Sequence, residues 1–175
     1  MIRSIRITLL CALSLAVLSP AAHAASKKDL QILGRALGFI ESGPIDNVKI
    51  GLVYTDNHPR SSREADLILA IIGNGIQSGK INLQAEKIHA RDAANARNPV
   101  LFLTEGIEEH FSSIFSAVSA RGIITVSTHD TCLNTNHCVM VIKSEPTVDI
   151  QLSAAGAAAT SVSFSSAFRM MVTER

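Results

Sequence analysis

VKIGLVYTDNHPRSSREADLILAII (48–72) decides how the rest of the chain is read. Val48 to Tyr54 is a short β-branched run whose two faces are both apolar, the pattern of a strand buried inside a parallel sheet rather than one with a wet face. The polar loop TDNHPRSS follows, and then Ala65, Leu69 and Ile72 recur at helical spacing. Ser61 and Glu64 stand three apart, which predicts a capping box at the start of this helix. A buried strand feeding an amphipathic helix is half of a β-α-β unit.

Outward from it, the same grammar repeats. Residues 81–89 (INLQAEKIH) and 99–103 (PVLFL) read as strands, Ile107 to Ala120 as a helix with Ile107, Phe111, Ile114 and Phe115 inward, and Ile123 to Val126 as a fourth buried strand. The run GNGIQSG (73–79) has the glycines of a phosphate loop, but it closes a helix instead of joining strand to helix, so it reads as a helix C-terminus. Upstream, Leu30, Leu33, Leu37 and Ile40 mark a helix over 27–41, capped by Ser26 and ended by Gly43-Pro44. Downstream, 138–143 and 147–152 read as a hairpin at the sheet's edge. In its second strand Val148, Ile150 and Leu152 alternate with Asp149 and Gln151, which predicts one wet face. Ala154 to Ala159 reads as helical, and 164–172 as a closing segment with Phe164, Ala167, Phe168 and Met171 on one stripe. The expectation is an α/β fold: a mainly parallel sheet flanked by helices, Rossmann-like and three-layered, with a C-terminal antiparallel hairpin.

The first 24 residues stand apart. Arg3 and Arg6 precede an apolar run, Ile7 to Leu18, that is too short to span a bilayer; Pro20 breaks it, and Ala22-His23-Ala24 supplies small residues where a signal peptidase reads. The expectation is a signal peptide over 1–24, cut after Ala24, and one domain over 25–175 in the periplasm. Cys11 does not make a lipoprotein signal, because Leu10 sits where a small residue is needed. Removing 24 of the 175 residues leaves 151, enough for a full core. It also removes two of the sixteen basic residues and none of the fifteen acidic ones, taking the net charge from +1 to −1. Nothing in that balance favours nucleic acid or an anionic membrane surface, and no run of like charges appears.

With Cys11 gone, Cys132 and Cys138 remain, and an even pair this close in an exported chain reads as one disulfide. A loop of about seven residues gives it roughly 2.4 kcal/mol on the chain-entropy estimate, against about 4.7 for a hundred-residue loop. It is a clip on one loop. His129, Asp130, Cys132, His137 and Cys138 also offer ligands for a tetrahedral zinc. However, His137 and Cys138 are adjacent and point to opposite faces of an extended strand, and oxidation removes the thiolates. A redox-responsive clip stays open as a third reading. No metal and no cofactor is assigned. No G-x-S-x-G elbow occurs, Ser127 to Asp130 is only sequence-adjacent, and Glu108-Glu109 most simply complement a helix dipole, so an enzyme is not expected.

The segments GIITVSTHDTCLNTNHCVMVI (122–142) and TVDIQLSAAGAAATSVSFSSAF (147–168) resemble the YfiR-like family of exported proteins. The shared pattern is a strand ending in Val-Ser, a loop, a cysteine-bearing strand, a "V-x-I-x-(V/L/N)" strand, an alanine-rich helix and a short helix of the "x-F-x-S-x-(F/L)" kind. Phe39-Ile40-Glu41 before Gly43-Pro44 stands where the family ends its first helix. The chain has no Trp for the family's Trp-Pro corner, and one cysteine pair where better-known members carry two. The resemblance implies a non-enzymatic periplasmic regulator that restrains an inner-membrane diguanylate cyclase, or a similar sensor, in cyclic-di-GMP signalling. Its partner is then the periplasmic domain of that inner-membrane protein.

The alternative is a small-molecule-binding module resembling one lobe of a solute-binding protein. In open α/β sheets ligands sit beyond the carboxyl ends of the strands. Those ends supply the candidate ligand or partner residues Asp56, Asn57, His58, Glu105, His129 and Asp130. A small ligand and a second copy of the chain are further candidate partners; nucleic acid is not.

Overall fold

A computed structural model describes residues 24–41, 43 and 46–175. The leader up to His23, and Pro44 of the expected helix stop, lie outside the described residues. Eight strands form one sheet in the order β2-β3-β1-β4-β5-β6-β7-β8. They are β1 (Asp46–Tyr54), β2 (Ile76–Ser78), β3 (Ile81–His89), β4 (Val100–Leu103), β5 (Ile124–Ser127), β6 (Met140–Lys143), β7 (Asp149–Leu152) and β8 (Thr173–Glu174). The central five run parallel, β1 pairing with both β3 and β4, then β4 with β5 and β5 with β6. Hydrogen bonds pair β2 with β3 and β6 with β7 antiparallel. The expected α/β sheet with its C-terminal hairpin is therefore present. The hairpin does not end the sheet, however: β8 adds parallel to β7 outside it.

Alternation along the strands builds two cores. Ile50 and Leu52 of β1, Val100 and Phe102 of β4, Val126 of β5 and Met140 and Ile142 of β6 face helices α1 (Lys27–Leu37) and α2 (Pro59–Ile72). Val53, Leu101, Leu103 and Val141 face the other way, toward α3 (Phe111–Val118) and the Cys132–Cys138 turn. Both faces of the central strands are buried, which is why their sequences read as continuous apolar runs. Helix α1 starts as expected: the Ser26 side chain accepts from the Asp29 N–H, and Asp29 reaches back to the Ser26 N–H at 2.7 Å. It ends earlier than the sequence predicts, at Leu37 with Gly38 as cap. Its contact with the sheet edge needs Gly34, where a Cβ would lie 2.6 Å from Cβ of Ser78.

Four further expectations are corrected. The 73–79 run does cap α2 at Gly73, but Ile76 to Ser78 then form a strand. The predicted helix over 107–120 is α3 flanked by single 3-10 turns at 108–110 and 119–121, with Phe115 only half-buried. Strand β7 lacks the expected wet face: Gln151 is buried and Asp149 half-buried, while Val148, just before the strand, is exposed. In the closing segment Phe164 and Phe168 are core and stack at 5.4 Å, whereas Ala167 and Met171 are exposed. Only Ser166–Arg169 (α6) is helical there, too short a helix to carry a stripe through Met171. Two more short helices, α4 (Thr131–Asn134) and α5 (Ala154–Ala159), complete the chain.

Candidate functional site

From β1 the chain crosses to β3 on one side and returns to β4 on the other, so strand order reverses between β1 and β4. The crevice at such a reversal is where open α/β sheets take ligands. Its walls are the loops 55–58 and 104–107. The expected capping box is absent from its rim. Pro59 occupies the first turn of α2, so the helix begins a residue or more earlier than the Ser61–Glu64 spacing implies, with His58 as an N-cap that makes no side-chain bond. Freed from capping, Ser61 and Glu64 turn inward.

Ser61 zips the crevice shut. Its Oγ accepts the Thr55 N–H at 3.0 Å and lies 2.7 Å from Oγ1 of Thr104. Thr104 spends its one hydroxyl proton on the carbonyl of Val53 at 2.8 Å, so Ser61 donates to Thr104. All of these groups are buried. One step outward, the His58 ring lies directly on Gly106, whose φ is +83°; a Cβ there would fall 2.2 Å from the ring's Cγ.

Glu64 is the hub. Its side chain is 4% exposed, and it gathers four donors from three loops. Oε2 accepts the Glu105 N–H at 2.7 Å, and Oε1 takes the Thr128 hydroxyl at 3.3 Å and the Ala25 N–H at 3.4 Å. Nε2 of His129 stands 3.2 Å from both oxygens. Burial pushes the His129 pKa down, but the hydrogen bond that its ring N–H donates to Glu64, the charge of Glu64, and the charges of Glu105 and Glu108 outweigh that, so the imidazole is held above its ordinary value. The pair sets a half-buried imidazole, which holds its proton more firmly than usual, on a buried carboxylate, and the remaining donors satisfy the carboxylate's other lone pairs. Outside it, Arg60 pairs with Glu105 at 2.7 Å.

The six expected residues thus do not form one site. Glu105 and His129 meet through Glu64. Asp56 is exposed and faces His89 at 3.7 Å across a cavity of about 170 Å³ shared with Asn57, Arg91 and His110. His58 covers Gly106. Asp130 turns away to an ion pair with Lys143 on β6. The residues sequence reasoning missed are Ser61, Glu64, Arg60, Thr104 and His89; Pro59 was the signal that the helix starts upstream of Ser61. A second small cavity, about 180 Å³, lies between Ala24, Arg60, Leu67 and Glu105. A wider depression, about 480 Å³, sits at the opposite end of the sheet beside Arg169 and Glu174, far from the strand reversal.

Cys132 and Cys138 form a disulfide, with Cα atoms 5.4 Å apart. It closes the turn that begins at His129, so the clip stands immediately beside the Glu64 hub. Among the described residues no cluster of His, Cys, Asp or Glu is arranged to hold a metal ion, and no helix is long and apolar enough to cross a membrane.

The fold is a doubly wound, mainly parallel α/β sheet. A conserved domain protein of Vibrio cholerae O1 biovar eltor has a similar structure, with a TM-score of 0.59 at 10% identity over 85% of this chain and 59% of that one. Two others are the Streptococcus pneumonia ABC domain in complex with L-Trp (TM-score 0.57, 6% identity, 85% and 59% covered) and the ligand-free, open form of CD0873, a substrate binding protein with adhesive properties from Clostridium difficile (0.58, 10%, 85% and 58%). This chain spans less than three-fifths of each, and at such identities the likeness is one of fold alone. No protein-family model and no curated protein matches the chain.

Proposed function

We propose that the protein is a non-enzymatic periplasmic regulator that acts by protein–protein contact, restraining the periplasmic domain of an inner-membrane diguanylate cyclase or similar sensor. The YfiR-like pattern of its C-terminal half suggests this role. The observation that supports it best is the filled crevice: Ser61 bonded to Thr104, and His58 lying on Gly106, occupy the place where a solute would sit. The cavities left at this end, about 170 and 180 Å³, are smaller than the roughly 300–1,000 Å³ of ligand pockets. What faces outward is a rim of exposed polar side chains, Asp56, Asn57 and Arg60, suited to reading a protein surface. The disulfide accords with an oxidising compartment.

The test is titration of the mature protein against the purified periplasmic domain of a membrane cyclase encoded beside its gene. Saturable binding, weakened by Asp56→Ala combined with Asn57→Ala, is the expected result. No binding at high micromolar concentration would count against it.

A second reading, a small-ligand module, is favoured by the likeness to substrate-binding folds and by the arginine-lined cavity next to Glu64. Thermal stabilisation by an amino acid such as L-Trp, lost in His129→Ala, would move the conclusion to it.

A further inference from the structure

We propose that cleavage after Ala24 makes a structural group of this fold: the α-ammonium of Ala25, which docks on the buried carboxylate of Glu64 and completes the cluster around it. The inference rests on reading residues 1–24 as a cleaved leader. Two independent observations converge on the same bond. In the sequence, Ala22-His23-Ala24 places the cut between Ala24 and Ala25. In the fold, burial begins there: Ala24 is exposed and Ala25 is 1% exposed.

The chain is pinned from the next residue onward. Ser26 and Asp29 close their capping box, Oγ of Ser26 lies 3.3 Å from Oγ of Ser144, and Nζ of Lys28 reaches the Ser144 carbonyl at 3.2 Å. The nitrogen of Ala25 is therefore held in place 3.4 Å from Oε1 of Glu64. As a peptide N–H it offers the carboxylate a single uncharged donor at long range, beyond the usual 2.9–3.0 Å. As a free amine it carries a full positive charge and three donors in place of one, so charge stands on both sides of the bond, which favours a shorter and stronger contact.

The surroundings favour an added cation. Three carboxylates, Glu64, Glu105 and Glu108, act together on His129; against them stand only His129 on Glu64 and Arg60 on Glu105, so an acidic excess is left for the amine. Ala24 itself forms a wall of the cavity that Arg60, Arg63, Glu64, Leu67 and Glu105 line, so its removal opens room for the amine to turn toward Glu64. Because Ala25 is out of solvent in the fold, the cut precedes folding.

The experiment has two arms. N-terminal sequencing of the exported protein locates the mature start; Ala25 is expected, and any other residue overturns the proposal at the leader. Melting temperatures are then compared for chains that begin at Ala25, that keep Ala24, and that begin at Nα-acetylated Ala25, each also as Glu64→Gln. The free Ala25 chain should melt higher than both blocked forms by at least about 4 °C. In Glu64→Gln the gap should close to within about 1 °C, a loss of coupling that a merely steric effect would not produce. Should Glu64→Gln fail to fold, the acetylated chain still decides, since it keeps the geometry near Ala25 and removes only the charge. Equal melting of the free and acetylated chains overturns the docking while leaving the proposed regulatory contact untouched.

Discussion

Nε2 of His129, in the turn after β5, stands 3.2 Å from both oxygens of Glu64 on α2, and the two side chains join the sheet's polar end to the helix that covers one of its faces. Neither residue is near the other in sequence, being 65 positions apart. Glu64 also holds the Glu105 N–H, so one carboxylate ties the loops after β4 and β5 to a single point.

Removing that carboxylate leaves the half-buried His129 ring and the Glu105 N–H without their shared partner. Glu64→Ala should cost about 3–5 kcal/mol in urea unfolding, the range for breaking one partner of a buried pair. Glu64→Gln, which keeps an acceptor for Glu105, should cost clearly less. A loss below about 1 kcal/mol in both would contradict the hub.

The pair also sets a pH dependence. His129 binds its proton more tightly folded than unfolded, so its contribution is fully present below the unfolded value of about 6.5 and is lost as pH rises through the raised folded value. Between about pH 6 and 9 the wild type should therefore lose more stability than His129→Gln. Parallel curves would show that the proton is not bound there. Glu64, Glu105 and Glu108 are the carboxylates acting on the imidazole, and Glu105→Gln should soften the slope without abolishing it.

Gly106 offers a steric test. Ala at this position meets both a φ of +83° and the His58 ring, so Gly106→Ala should destabilise by at least about 2 kcal/mol. Adding His58→Ala relieves the clash and not the backbone, so it should recover part of the loss. Full recovery would mean that the backbone conformation costs nothing.

Reduction of Cys132–Cys138 should cost about 2.4 kcal/mol and act locally. Hydrogen exchange should quicken over 128–138 and leave β1 and β4 protected. Because His129 begins this turn, the His129–Glu64 bond should weaken with it, seen as a shallower pH dependence in Cys132→Ser. Global loosening of the sheet would overturn the local role.

The parallel core was legible because β1, β4, β5 and β6 are buried on both faces, and continuous apolar runs are the direct imprint of that burial. Strand β2 was not: three residues, Ile76 to Ser78, lie within a glycine-rich run that also ends a helix, and only their pairing with β3 gives them an identity. The site was half legible. Strand-end loops pointed to Glu105 and His129, but Glu64 stood in a spacing that local rules assign to a cap. What turns it inward is tertiary: Pro59 starts the helix early, and His129 lies 65 residues away to receive it. Gln151 and Met171 depart from the expected pattern for a similar reason: β8 adds beyond β7, so that strand is not the sheet's edge, and α6 stops short of Met171.

The central claim is that the protein restrains a partner by contact instead of holding a solute. Cellular cyclic-di-GMP, measured after deleting the gene and after restoring it, tests this most directly. Deletion should raise it several-fold, and the rise should be reversed by the wild-type protein and by Cys11→Ser, but not by a chain lacking residues 1–24. Unchanged cyclic-di-GMP in the deletion strain, with the protein shown to be exported and folded, would contradict it.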